Sequence, residues 1–94
     1  MTADITKFAI HINEKDNVVT ALTDVKPGHY FFPDKKGKID LEIKDEIKAG
    51  FKICIAHLKK GEKVYKFGYT IGVASSDIRP GDKIHIENLA SKIW

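Results

Sequence analysis

The sequence is poor in the features that most often announce a function. One cysteine occurs among 94 residues, and no run approaches the roughly 18 apolar residues of a membrane-spanning helix. Cys54 lies between Ile53 and Ile55, which reads as a small buried hydrophobe rather than a nucleophile or half of a disulfide. The opening Met1-Thr2-Ala3-Asp4 lacks the basic and apolar regions of an export signal, so the expected location is the cytoplasm, with no membrane partner. His11, His29, His57 and His85 stand at no HExxH-type spacing and no CxxC is present, so no metal site made by this chain alone is expected. GxSxG, the phosphate-binding glycine-lysine loop and GxGxxG are also missing, which removes the commonest acyl-transfer, phosphate and dinucleotide chemistries. Activity of this chain alone is not expected. Neither sign of charge dominates: 16 basic residues are interspersed with 13 acidic ones for a net +3, a weak bias toward acidic partners such as a sugar acid or a nucleic acid.

Helical signals are also scarce. Glycine or proline punctuates the chain from Pro27 to Gly81, and no window of three or four turns carries a clear stripe of 3.6-residue period. The best helical candidate, Lys44 to Ala49, is about a turn and a half long. What is present is strand pattern. Phe8-Ala9-Ile10-His11-Ile12, Ile39-Asp40-Leu41-Glu42-Ile43 and Ile84-His85-Ile86 alternate apolar and polar, as strands with one buried face do. Val18 to Leu22, Lys52 to Ala56 and Ile71 to Ala74 are more continuously apolar, which suits strands covered on both sides and marks the core. The length allows one compact, mainly β domain over residues 1–94 with a modest core and no large enclosed cleft.

One short pattern recurs as Asp24-Val25-Lys26-Pro27-Gly28, His57-Leu58-Lys59-Lys60-Gly61 and Asp77-Ile78-Arg79-Pro80-Gly81. Proline presets φ for a turn and glycine accepts positive φ, so these read as tight corners whose apolar residue plugs the core. Between them, His29-Tyr30-Phe31-Phe32-Pro33 precedes a polar Asp34-Lys35-Lys36-Gly37-Lys38 turn. This is a projecting hairpin or loop whose aromatics either pack beneath it or meet a partner. The densest stretch, Lys59 to Gly72, interleaves lysines with Tyr65, Phe67 and Tyr69 and includes Gly61, Gly68 and Gly72. It reads as an anion-binding edge or a solvated hairpin: lysine supplies a point charge, tyrosine a hydroxyl, and glycine a close approach to the backbone.

This stretch, continued to Leu89 in the pattern KKGEKVxKxGxxIGVAxxDIxPGxxxHxxNL, resembles the small SAF-type domain of the altronate/galactarate dehydratase family. Residues Ile10 to Leu22 resemble the opening of the same domain. Together they cover most of residues 8–89 and leave 90–94 as a short tail ending in Trp94. The resemblance implies a single β-clip domain working beside a larger lyase catalytic subunit that removes water from a sugar acid. A divalent metal, usually iron, would belong to that partner, with no cofactor bound by this chain alone. In some relatives the small domain is fused to the large one; in others, such as the sulfolactate sulfo-lyase pair, it is separate, and this chain resembles the separate form. Asp16, Asn17, Lys66, Gly68, Gly72, His85 and Asn88 match the family pattern. In the implied site Lys66 or Lys52 draws in the carboxylate, Asn17, Asn88 and Tyr69 add substrate contacts, and His85 is the catalytic candidate, turned toward the metal or leaving group. Two departures stand out: Gly50-Phe51-Lys52 replaces a common Gly-His-Lys, and His85-Ile86-Glu87-Asn88 replaces His-x-His-Asn. Phenylalanine can neither transfer a proton nor bind a metal, so a histidine function at position 51 is lost or the substrate differs.

A rival reading is a stand-alone module in which Tyr65, Phe67 and Tyr69 hold a small ligand or carbohydrate or stack on nucleic-acid bases. The interspersed acidic residues argue against nucleic acid. A flat, uncharged antifreeze-like face is at odds with the lysine-rich motif.

Overall fold

The computed structural model describes residues 2–85 and 87–91. Ile86, expected in the Ile84-His85-Ile86 strand, and the 92–94 tail with Trp94 lie outside the described residues. The chain forms β1 (Ala3–Asp4), a 3-10 turn (Ile5–Lys7), β2 (Ala9–Ile10), β3 (Val18–Ala21), β4 (Gly28–Asp34), β5 (Gly37–Ile43), β6 (Lys52–Cys54), β7 (Lys63–Lys66), β8 (Tyr69–Ala74), β9 (Lys83–Ile84) and β10 (Leu89–Ser91). Three small sheets result, ordered β1-β4-β5, β2-β3-β6-β9 and β10-β8-β7, in the mainly β architecture expected.

The four-stranded sheet divides the interior. Val19 pairs with Ile53 and Val18 with Cys54; because successive side chains point to opposite faces, the two pairs face opposite ways. All four are buried. Val19 and Ile53 join Ile5, Leu41 and Ile43 in one core, whereas Val18 and Cys54 join Val64, Ala74 and Ile84 in a second. The continuously apolar runs are thus apolar because both sides are covered. Cys54 donates its thiol to the Ala56 carbonyl at 3.0 Å, and burial pushes its pKa up to about 11, so it is an unreactive core residue. The first segment runs against the expected pattern: Ala9 is buried while Ile10 and Ile12 are exposed. Ala9, paired with Ala21, is the residue turned into the first core.

The recurrent corners meet in pairs. Val25 bridges Ile47 and Leu58 bridges Ile78, and all four side chains are buried. The segment expected as a helix, Lys44 to Ala49, is therefore a fourth corner. Ile47 gives its N–H to Val25 at 2.9 Å and accepts from it at 2.7 Å, and Gly50 closes the turn at φ 92, as Gly61 and Gly81 do at 94 and 101. A segment this short cannot offset helix nucleation against such pairing. The pairs are alike in detail: Asp24 accepts from the Ala49 N–H at 2.9 Å, and Asp77 from the Lys60 N–H at 3.0 Å.

The aromatic stretch forms the β4–β5 hairpin, and its aromatics pack. Phe32 is buried, Tyr30 meets Phe8 edge-on at 5.8 Å and donates its hydroxyl to the Lys26 carbonyl at 2.7 Å, and Phe31 lies under the Lys38 ammonium at 4.7 Å. The corner pairing makes a direct prediction. Ile78 is fully buried at its bridge with Leu58, so Ile78→Ala should cost about 2–5 kcal/mol, a large part of a small domain's stability. Urea unfolding measures it, and a loss under about 1 kcal/mol would show that the corner carries little of the fold.

Candidate functional site

The lysine-rich motif is the β7–β8 hairpin, and its shape is imposed from 50 residues upstream. Lys66 pairs with Tyr69, leaving Phe67-Gly68 as a two-residue turn with φ 57 and 80. Positive φ at both positions is a type I′ turn, which favours Asn-Gly; a bulky residue in the left-handed region costs roughly 1–2 kcal/mol. Asp16 holds it there. Its buried carboxylate accepts from the N–H of Phe67 at 2.9 Å, of Gly68 at 2.8 Å and of Asn13 at 3.2 Å. Asn17 continues the clasp, accepting from the Tyr65 N–H at 2.8 Å and donating to the Lys63 carbonyl at 3.0 Å. Gly68 also makes room: a Cβ there would stand 2.9 Å from the Asn13 side-chain nitrogen.

Held this way, the hairpin brings Lys66 toward Lys52. Lys52 shares a cross-strand row with Thr20 and Ile84, on the face of the sheet that builds the second core. Burial disfavours its charge and the nearby Lys66 adds repulsion, so its pKa lies below the ordinary lysine value. The Lys66 ammonium lies 4.7 Å from the Phe67 ring centroid, and Lys83 covers Phe51 at 4.8 Å. Among the described residues the ion pairs use Lys26, Lys35 and Lys48; Lys52, Lys66 and Lys83 have no carboxylate partner. Such unpaired ammonium groups suit an anion. Tyr69, 76% exposed, stands opposite Lys66 across the hairpin.

His85 stands elsewhere. With Lys83 it lines an open groove that also includes Asp45, Glu46, Asp77 and Asp82 but neither Lys52 nor Lys66. Its Nδ1 accepts from the Glu87 N–H at 3.1 Å, which assigns the ring proton to Nε2 and makes that atom a donor in the neutral ring. Asn88 accepts from the His85 N–H at 2.9 Å and donates to the Lys83 carbonyl at 2.8 Å. The structure thus brings Lys52, Lys66 and Tyr69 to one end of the domain and His85 to a separate groove. It commits the side chains of Asn17 and Asn88 to backbone groups. Gly72, the remaining matched glycine, lets β10 approach: a Cβ there would lie 2.5 Å from the Ala90 carbonyl.

The altronate/galactarate dehydratase SAF-domain profile matches residues 7–92. The chain belongs to that family. Over 87 residues this SAF domain is 36% identical to the altronate dehydratase of Bacillus subtilis, covering 93% of the chain and 17% of that protein. It is 30% identical to the altronate dehydratase of Escherichia coli over 84 residues, 89% of the chain and 16% of that protein. Against the (2R)-sulfolactate sulfo-lyase subunit alpha of Chromohalobacter salexigens it is 29% identical over 90 residues, 93% of the chain and 96% of the relative. The chain therefore spans about a sixth of the altronate dehydratases it matches and nearly all of the sulfo-lyase subunit.

Sequence reasoning overlooked Lys83 in this SAF domain, which joins the Phe51 side to the His85 groove; its alternation with the buried Ile84 was the available signal. Two tests follow from the clasp and the lysine pair. Asp16→Ala strands three backbone donors at about 1–3 kcal/mol for each one left buried. It should lower stability by about 3 kcal/mol or more and strip hydrogen-exchange protection from the Phe67 and Gly68 amides; intact protection would refute the clasp. The Lys52 charge penalises the folded state below its lowered pKa, and that penalty fades as pH rises through the folded value toward the ordinary 10.5. Lys52→Met should therefore keep or raise the melting temperature of the free domain below the lowered pKa. A lower melting temperature would show that the Lys52 charge does not penalise the folded state.

Proposed function

We propose that this chain is the small, site-completing subunit of a hydroxy-acid lyase of the sugar-acid dehydratase type, acting with a separate larger catalytic subunit. The observation that carries the reading is the pair of coverages. The same unit is a sixth of the altronate dehydratases but almost the whole of a protein named as a sulfo-lyase subunit. The unpaired lysines and the absence among the described residues of a helix long and apolar enough to cross a membrane are compatible with it.

Elimination from a hydroxy acid requires a base for the proton beside the carboxylate and an acid to assist the leaving group. In this proposal the larger subunit supplies the base. Lys66 and Lys52 hold the substrate carboxylate as charge-assisted donors and Tyr69 walls the site; His85 lies in a separate groove and is given no step on the same substrate. No three His, Cys, Asp or Glu side chains among the described residues are gathered so as to hold an ion. The described residues therefore do not fit a metal, and no step of this chain is assigned to one. A divalent ion, iron by family resemblance, falls to the partner.

The test is an affinity purification of the tagged chain followed by kinetics of the assembled complex on sugar acids. A stoichiometric lyase-type partner with dehydratase activity is expected. In that complex Lys66→Ala should raise KM roughly 10-fold or more, the loss of one charge-assisted contact, with a smaller effect on kcat. Unchanged kinetics would remove Lys66 from the site. A lone, inactive chain that binds oligosaccharides or single-stranded nucleic acid would replace the subunit reading with that of a binding module.

A further inference from the structure

Phe67 breaks the residue preference of its own turn. At φ 57 it is the one non-glycine residue with positive φ among the described residues, in a turn position that asparagine or glycine fills without strain. Its ring is not held there by the core, since the residue remains 49% exposed. The turn is held instead through the backbone N–H groups bonded to Asp16. A fold that holds a strained aromatic at a rigid tip, half in solvent, displays that ring. Tyr69, across the same turn, is 76% exposed. Ile12, 45% exposed, adjoins Asn13, whose side chain packs on Gly68. Aromatic anchors fixed in advance on a hairpin have the composition and low ordering cost of a binding hot spot.

We infer that the Lys66–Tyr69 tip is the element by which this chain docks into its larger lyase partner, with Phe67 and Tyr69 entering an apolar pocket and the two lysines left open to the substrate. This rests on the subunit reading above. The charge pattern selects the occupant: Lys52 and Lys66 lack carboxylate partners among the described residues, and Asp16 is buried and fully engaged beneath the tip. A second copy would bring the same lysines against themselves, whereas a different protein that brings no cations of its own to the tip leaves them free to hold the substrate carboxylate. Docking at the tip would also place Lys66 where the two subunits meet, so that the substrate carboxylate is enclosed only in the complex.

The experiment compares the free chain and its complex with the co-purified large subunit for wild type, Phe67→Asn, Tyr69→Ser and the control Lys36→Ala. Lys36 is exposed in the turn of the other hairpin. Melting temperature is read on the free chains and Kd by biolayer interferometry on the immobilised partner. Phe67→Asn should raise the melting temperature, because it relieves the turn, and yet weaken association about 10-fold or more, the loss of one interface anchor. Tyr69→Ser should weaken association without changing the melting temperature, and Lys36→Ala should change neither. Opposite signs on stability and affinity are what a purely structural Phe67 cannot give. Unchanged Kd in both tip variants overturns the docking role and leaves the subunit reading intact. A lower melting temperature for Phe67→Asn overturns the display argument. Failure of wild type to retain any lyase-type partner overturns both readings. Self-association, or binding of single-stranded oligonucleotides, that Phe67→Asn abolishes would assign the tip to that occupant and overturn this one.

Discussion

The carboxylate of Asp16 is the interaction on which the functional end of the molecule depends. Burying a carboxylate is costly unless donors replace the water it loses, and here three backbone N–H groups do so. Two of them belong to the tip of a hairpin more than 50 residues away in sequence, so one side chain fixes both the approach of that hairpin and its unusual turn. Asn17 then holds β7 through both ends of its amide. His11 reinforces the loop from behind: its Nε2 lies 2.7 Å from the Asp16 carbonyl and its ring packs on Phe32 at 4.9 Å. The position of Lys66 relative to Lys52 follows from these contacts rather than from any direct contact between the two lysines.

The scaffold beneath is a sheet used on both faces, closed by matched corners. The first pair of corners carries a surface ion network: Lys48 reaches Glu46 at 3.2 Å and Asp24 at 3.5 Å, and Lys26 reaches Glu46 at 3.2 Å. Exposed pairs of this kind add little to stability; the buried Val25, Ile47, Leu58 and Ile78 carry the corners. Gly81 shows how tight the second pair is. It combines φ 101 with a position where a Cβ would lie 2.3 Å from the Glu42 carbonyl oxygen, so the Pro80-Gly81 turn rests directly on β5.

Much of the fold was legible because local chemistry and tertiary role agreed. The alternation from Ile39 to Ile43 became β5, with Leu41 and Ile43 buried and Asp40 and Glu42 exposed. The apolar runs around Val18 and Ile53 marked a sheet with no wet face. Where the reading failed, the deciding contact was remote. Ile47-Lys48-Ala49-Gly50 has the corner pattern without a proline or second lysine before its glycine, and only its pairing with Val25 distinguishes it from the start of a helix. Ile10 alternates like a core residue, yet the register places Ala9 inward. The family motif marked Asp16, Asn17 and Asn88 without distinguishing side chains offered to a ligand from those spent on the backbone, because that difference lies in bonds closed by folding. The separation of His85 from the lysine pair was hidden for the same reason: β6 pairs with β9, yet the groove that His85 lines includes neither lysine.

The corner bridges join residues 22 positions apart in one pair and 20 in the other, while the Asp16 contacts span 51 and 52. Apart from the β4–β5 and β7–β8 hairpins, little of this architecture can be assembled from neighbours in the chain. Mainly non-local pairings of this kind place small β domains among the slower folders, on the order of milliseconds to seconds. During synthesis the loop around Asp16 leaves the ribosome long before Phe67 and Gly68, and until they arrive its carboxylate stays hydrated. The first corner pair can close early. The second core must wait for Ile78 and Ile84 to emerge, so the lysine-bearing hairpin, which packs into it through Val64 and Ala74, is among the last parts of the domain to gain its support.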